Sequence, residues 1–330
     1  MYEAFFGLTK NPFGLTPDAS VLFMTRQHRE ALSGLTYAIV NRKGFAVLTG
    51  AVGTGKTTLL TRVLEHLPVT VRASVILTPT LTAEEFFELA LLDFGFQQVP
   101  QSKARRLVML QEFLVAGHKE GKVTVLVVDE AHKLSPEVLE ELRLLGNYET
   151  AEAKLLQIVL IGQNELSVLL NRPDMRQLKQ RVAVRLNIEP ISRAEIQHYV
   201  GYRWARAGGI GMPFSAGALE CIAHASGGVP RLINSLCGSA LLLAFAESSL
   251  TVQTAHVLEA CTDLDLDTDT VPLPAQLEPL QAEEPGIEPA ASRPLVIRTL
   301  ERYQPRAPQG SFWNRWAGKL GIAQSMNGGA

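Results

Sequence analysis

Gly50-Ala51-Val52-Gly53-Thr54-Gly55-Lys56-Thr57 is the stretch on which the fold turns. It satisfies Gly-x-x-x-x-Gly-Lys-Ser/Thr, the phosphate-binding loop. The apolar run Phe45 to Thr49 before it reads as a short buried strand, and Thr58 to Leu67 after it carries its leucines and valine on one helical stripe. Strand, glycine loop and helix in that order are the context the motif requires. Gly50, Gly53 and Gly55 permit positive φ and leave no side chain in the way, so successive backbone N–H groups can converge on the β- and γ-phosphate oxygens of a nucleotide. The positive end of the following helix adds to that field. Ala51, Val52, Thr54 and Thr58 complete the cradle, Lys56 sets its ammonium on the β/γ oxygens, and the Thr57 hydroxyl becomes a magnesium ligand.

A partner for that magnesium lies further along the chain. Val123 to Val128 is a second apolar strand that runs straight into Asp129-Glu130. Two carboxylates at the end of a buried strand are costly unless a metal or a water uses them. Asp129 is therefore read as holding magnesium through water, and Glu130 as orienting and polarising the attacking water, the two tasks that a loose phosphoryl-transfer transition state leaves to protein. His132 reads as a packed or capping side chain. Leu155 to Gly162 is a third buried strand ending at Gln163, whose amide could hold the same water or the γ-phosphate, or could cap the next helix. Arg172, Arg176, Lys179, Arg181 and Arg185 crowd the region before and within a further strand, 182–188. An arginine there can reach the γ-phosphate of a neighbouring subunit, with Arg181 the first candidate and Arg176 the second; a solvated basic face is the competing reading.

Remaining elements fall into place around these. Val71 to Leu77 is a strand, and helices are expected over 27–42, from Thr82 to Phe94, 102–118 and 135–146. Thr82-Ala-Glu-Glu85 is a capping box, and Ser135-Pro136 supplies an N-cap and a first-turn proline. The segment from Phe5 to Asp18 is too rich in turn formers for a regular element; it either supplies the apolar pocket for a nucleotide base or caps the core. From the second capping box, Ser192 to Glu195, the pattern is wholly helical: 193–206, 215–225, 230–245 and 251–262. Gly227-Gly-Val-Pro-Arg231 interrupts this small helical domain and places Arg231 at an exposed helix start, able to swing onto the nucleotide as a lid closes or to remain an ordinary surface arginine.

Composition sets the outer bounds. A chain of 330 residues with 46% hydrophobic and 19% charged residues buries a sizeable core and is not globally disordered. No apolar run reaches the roughly 18 residues of a membrane span, and the start lacks a basic stretch followed by an apolar one, so a cytoplasmic location is expected. Cys221, Cys237 and Cys261 sit on helical patterns at wide spacing and read as small buried residues, not as a disulfide framework or metal site. The net charge of -2 gives no global basic field for nucleic acid. Charge is nevertheless uneven: 263–288 holds eight acids and no Lys or Arg, and prolines are concentrated at 272, 274, 279, 285 and 289. That is a solvated, extended linker. A basic stretch follows, ending in Ser311 to Ile322, where Phe312, Trp316 and Leu320 share a helical face that could dock on a partner or membrane surface, or fray.

The ordered set of phosphate loop, Val-Val-Asp-Glu-Ala-His132, polar strand end, basic finger region and helical Gly-x-Pro-Arg231 resembles the AAA+ ATPases. More narrowly, Phe6-Gly-Leu-Thr-Lys-Asn-Pro-Phe13, Ile161-Gly-Gln-Asn-Glu-Leu166 and Gln177-Leu-Lys-Gln-Arg-Val182 resemble the ExeA/GspA-like secretion ATPases over residues 2–262, with Asn164 standing where that pattern usually has proline. The resemblance implies a parallel α/β sheet flanked by helices, an all-α lid, ATP and Mg2+ as ligands, and self-assembly into oligomers with shared active sites. It puts Gln163 at the sensor-one position, Arg181 near the finger and Arg231 at sensor two. The expected division is an ATPase core over 1–190, a helical lid over 191–262, a linker over 263–310 and an amphipathic tail over 311–330. The expected role is ATP hydrolysis that drives assembly of a secretion- or pilus-type envelope system, at the cytoplasmic side of the inner membrane, with the tail on a membrane partner. The alternatives are an ATP-dependent regulator of transposition on duplex DNA, and a nucleotide switch that hardly hydrolyses. Full-length secretion members carry a membrane span and a peptidoglycan-binding region, where this sequence has the linker and tail.

Overall fold

The computed structural model describes residues 1–16, 18–77 and 80–266. The sequence beyond 266, including most of the expected linker and the whole of the expected tail, lies outside the described residues.

A short N-terminal helix, α1 (Tyr2–Phe5), and an irregular strap lead into α2 (Arg26–Val40). The core then alternates: β1 (Phe45–Gly50), α3 (Lys56–His66), β2 (Val71–Ile76), α4 (Ala83–Phe94), α5 (Lys103–Lys119), β3 (Val123–Val128), α6 (Pro136–Leu145), β4 (Leu156–Ile161), α7 (Asn164–Leu170), α8 (Arg176–Arg181) and β5 (Val182–Ile188). Four helices close the described chain: α9 (Arg193–Arg206), α10 (Ala216–Ser226), α11 (Pro230–Ala246) and α12 (Thr254–Asp263). The expected strands and helices are present within a few residues of their expected ends. The short helices α1 and α8 are additions that periodicity could not show over so few turns, and α7 is the helix expected to follow Gln163.

All five strands are parallel, in the order β2-β3-β4-β1-β5. Central strands are buried on both faces, so their side chains alternate between two apolar layers. Leu126, Val128, Ile158 and Leu160 face α4 to α8, while Val125, Val127, Val159 and Ile161 face α2 and α3. The edge strand β5 instead alternates half-buried and exposed positions, with only Ile188 at its end fully buried. Because β4 is inserted between β1 and β3, the carboxyl ends of β3, β4 and β1 lie side by side. Ligands of open parallel sheets bind at such a topological switch point.

The expected caps are in place. Thr82 Oγ1 accepts from Glu85 N while the Glu85 carboxylate accepts from Thr82 N. At the lid entrance the Glu195 carboxylate accepts from the amide and hydroxyl of Ser192. A third apolar cluster, with Tyr199, Trp204, Ile222, Ile233 and Leu236 at its centre, is the lid core, and it buries all three cysteines. The N-terminal strap, assigned above to the ATPase core, gives its apolar side chains to this lid: Leu8 and Phe13 are buried in its cluster, and Phe6 meets Trp204 edge-on. Arg203 on α9 fastens it by donating to the carbonyls of Pro12 at 2.7 Å and Gly14 at 3.2 Å. Among the described residues no helix is long and apolar enough to cross a membrane.

Candidate nucleotide site

The phosphate loop follows β1 and opens a cleft between sheet and lid. Gly53 (φ 78°) and Gly55 (φ 91°) take the left-handed conformation that the loop needs. Gly53 has a second reason to be glycine, since a Cβ there would sit 2.8 Å from the Arg231 Cβ and 3.0 Å from a Val229 methyl. The lid rests directly on the loop, and the Arg231 amide donates to the Gly53 carbonyl at 3.3 Å. Lys56 is buried, and its ammonium donates to the carbonyls of Gly50 at 2.9 Å and Ala51 at 2.8 Å. Burial pushes its pKa down, and the carboxylates of Asp129, Glu130 and Glu165 act against that shift. The cation sits inside the loop's own carbonyls, close to where phosphate oxygens would replace them as partners.

Across the switch point, Thr57 Oγ1 donates to Asp129 Oδ2 at 2.8 Å. Asp129 is 4% exposed, and its other oxygen accepts the Glu130 amide at 2.8 Å. Burial raises its carboxyl pKa, a shift that the Thr57 hydroxyl and the Glu130 N–H oppose. A hydroxyl and a carboxylate oxygen held together at this spot are hard donors suited to magnesium, so the residues present fit the metal. Glu130 follows in the left-handed region (φ 54°), a sparsely populated conformation for a side-chain-bearing residue and one that collects at functional sites. Its carboxylate faces the cleft, with Lys133 Nζ at 3.2 Å and His132 Nε2 at 3.6 Å.

Gln163, at the end of β4, also lines the cleft. It occupies the N-cap position of α7 but makes no side-chain capping bond, which leaves its amide for the cleft. Val52, Thr54, Gly55, Thr58 and Arg231 line the same space. At its far end Leu15, Leu22, Phe23, Ile191 and Tyr199 form an apolar wall suited to a base, so the strap both walls the cleft and caps the lid core. Arg181 is not gathered with them: its guanidinium donates to the Arg143 carbonyl at the end of α6 at 2.8 Å. Arg172 is spent on Asp174, whereas Arg176 is exposed and has no partner among the described residues.

Several residues of the cleft are not singled out by the sequence, Asn234 and His28 among the polar ones. Asn234, one helical turn beyond Arg231, lines the cleft with its Oδ1 accepting from the Tyr199 hydroxyl at 2.8 Å. His28 lies beneath the loop. Its Nδ1 meets Thr25 Oγ1 at 2.7 Å and its Nε2 meets the Thr54 carbonyl at 3.2 Å. A carbonyl only accepts, so Nε2 carries the proton and Nδ1 accepts from the threonine. Thr25 as helix cap three residues before a histidine was the available signal, and only the loop contact gives it meaning.

Burial lowers the His28 pKa, with the Thr54 carbonyl and Glu195 acting against the shift. A base depressed in the folded state binds its proton more readily when unfolded, so stability falls as pH drops below the ordinary imidazole value of about 6.5. His28→Gln is expected to lose less thermal stability between pH 7.5 and 5.5 than the parent does. Parallel losses in melting curves at the two pH values would contradict this.

Sheet order, phosphate loop, strand-end carboxylates and helical lid define an AAA+ P-loop protein, and a model described as AAA domain matches residues 40–170. The fold is shared with Cdc6p from Pyrobaculum aerophilum (TM-score 0.63, 20% identity, 78% of this chain and 71% of that one). A DNA-bound Drosophila ORC structure shares it too (TM-score 0.58, 21% identity, 81% and 66%). In sequence the chain resembles general secretion pathway protein A of Aeromonas hydrophila, with 43% identity over 253 residues. That match takes in 76% of this chain and 46% of the relative, so the chain spans less than half of the relative's length.

Proposed function

We propose that the protein binds ATP with magnesium and hydrolyses it as a homo-oligomer, in the service of a secretion-type envelope system on the cytoplasmic side of a membrane. The observation that carries the hydrolysis reading is the Thr57 to Asp129 hydrogen bond at 2.8 Å, which joins the phosphate loop to the carboxylate strand and brings Glu130 to the cleft beside it. Thr57 and Asp129 would hold magnesium, which when bound neutralises phosphate charge. Lys56 and the loop amides bind the β- and γ-phosphates, Glu130 accepts a proton from the attacking water, and Gln163 orients that water or the γ-phosphate. Glu130 at this place favours turnover over a silent switch. The envelope role rests on the 43% identity to general secretion pathway protein A.

Between the two finger candidates, geometry favours Arg176. Moving Arg181 across a subunit boundary would strip the Arg143 carbonyl of its donor, whereas Arg176 has nothing to give up. Arg176→Ala is expected to lower kcat by about 10- to 100-fold, the worth of a charge-assisted hydrogen bond, and Arg181→Ala by far less. Mixing Arg176→Ala with Glu130→Gln protein tests the shared site. One subunit then supplies the water-activating carboxylate and the other the arginine, and the mixture turns over faster than the two variants measured apart add up to. A mixture no faster than that sum would sink the shared site. Duplex DNA is the alternative partner; stimulation by it that fades with salt would favour the transposition-type reading.

A further inference from the structure

We propose that His132 is a positioning residue for hydrolysis, which sets the Glu130 carboxylate and ties it to the end of β4. This rests on the reading of Glu130 as the residue that activates water. His132 stands in the turn after β3, and its side chain is 12% exposed. Its Nδ1 accepts the backbone N–H of Gln163 at 3.3 Å. An imidazole nitrogen that accepts carries no proton, so in the neutral ring the proton is on Nε2. That nitrogen is the one that faces Glu130 Oε2, at 3.6 Å, just longer than a hydrogen bond.

One ring therefore spans the ends of β3 and β4, with its donor toward the carboxylate and its acceptor on the residue beside the γ-phosphate position. The approach of the two strand ends depends on Gly162, where a Cβ would lie 3.2 Å from the backbone nitrogen of His132 and 3.1 Å from the Leu166 side chain. Glu130 needs such a holder. Its backbone is in the left-handed region, its side chain is about one-third exposed, and its other neighbour, Lys133, is half exposed on a flexible stem. An exposed lysine pair fixes a carboxylate weakly. Because His132 also touches Gln163, a shift of that residue against a bound phosphate reaches Glu130 through a single side chain.

The two nitrogens can be replaced separately. The Asn Oδ1 stands near the position of Nδ1, and the Gln Nε2 near the position of the ring's Nε2. His132→Asn keeps the bond to Gln163 and loses the donor to Glu130, whereas His132→Gln keeps the donor. In steady-state ATP hydrolysis by the full chain, His132→Ala and His132→Asn are expected to lower kcat about 10-fold with KM for ATP unchanged, the scale of a misplaced catalytic group. His132→Gln should recover most of the rate, and Lys133→Ala should change it less than about twofold. In a Glu130→Gln background, His132→Ala should bring no further loss, because it acts through the carboxylate already removed. A wild-type kcat in His132→Ala, or an equal loss in both backgrounds, overturns the proposal while leaving Glu130 in place. A melting temperature that falls in step with kcat across all three variants also overturns it, since the role is then structural. Wild-type turnover in Glu130→Gln alone would remove the Glu130 reading and this one together.

Discussion

Glu130→Gln is expected to keep ATP and lose turnover by about 10³-fold, within the range for removal of a general base. The change is nearly isosteric and removes one charge at the cleft. The backbone that places it does not depend on the carboxylate: the Glu130 amide donates to Asp129, and its carbonyl accepts from Lys133 N. Lys56, Thr57 and Asp129 are untouched, so nucleotide affinity should hold or rise slightly as the repulsion between two neighbouring carboxylates is relieved. The contrast of retained binding with lost hydrolysis separates water activation from a general disturbance of the site. Equilibrium binding of a fluorescent ATP analogue and phosphate release measure the two sides. Equal losses in both would show that Glu130 shapes the pocket instead.

Lys56→Ala should fail earlier in the cycle. The ammonium is expected to give up two loop carbonyls for phosphate oxygens, in charge-assisted hydrogen bonds worth about 1.5–3 kcal/mol each. Losing about 3 kcal/mol of binding is about a 100-fold weaker Kd. Loss of the same cation in the transition state takes kcat/KM down by about 10⁴-fold in total. The fold should survive, because Lys56 itself lines the cleft, where water can take the space its ammonium leaves. Calorimetric titration with ATP and a melting curve check both halves. Unchanged ATP affinity would mean that Lys56 belongs to the loop's own structure and not to phosphate binding.

How much of this was legible in the sequence depends on how local each cause is. The phosphate loop, Asp129-Glu130 after a buried strand, and the capping boxes at Thr82 and Ser192 are set by residues within a few positions of one another. Periodicity and turn chemistry therefore report them. That Thr57 and Asp129 serve one magnesium is legible from the cost of two carboxylates ending a buried strand; their direct hydrogen bond follows from strand ends that share one edge of the parallel sheet. Relations across the fold were not legible. Arg181 looked free until the end of α6 arrived beneath it, and the strap's allegiance to the lid depends on Arg203 meeting carbonyls nearly two hundred residues earlier. The roles of His28 and His132 depend on which ring nitrogen meets a carbonyl or an amide, a matter of a few ångströms that spacing does not encode. The tail with Phe312 and Trp316 lies outside the described residues, so its reading stands as an expectation only.

The most direct test is the rate of Mg2+-dependent ATP hydrolysis per mole of purified protein, followed over a wide range of protein concentration. The account predicts turnover that Glu130→Gln abolishes, and a specific rate that climbs with concentration to a plateau as subunits come together to complete one another's sites. ATP binding without turnover at any concentration, or a specific rate that never changes, would contradict it.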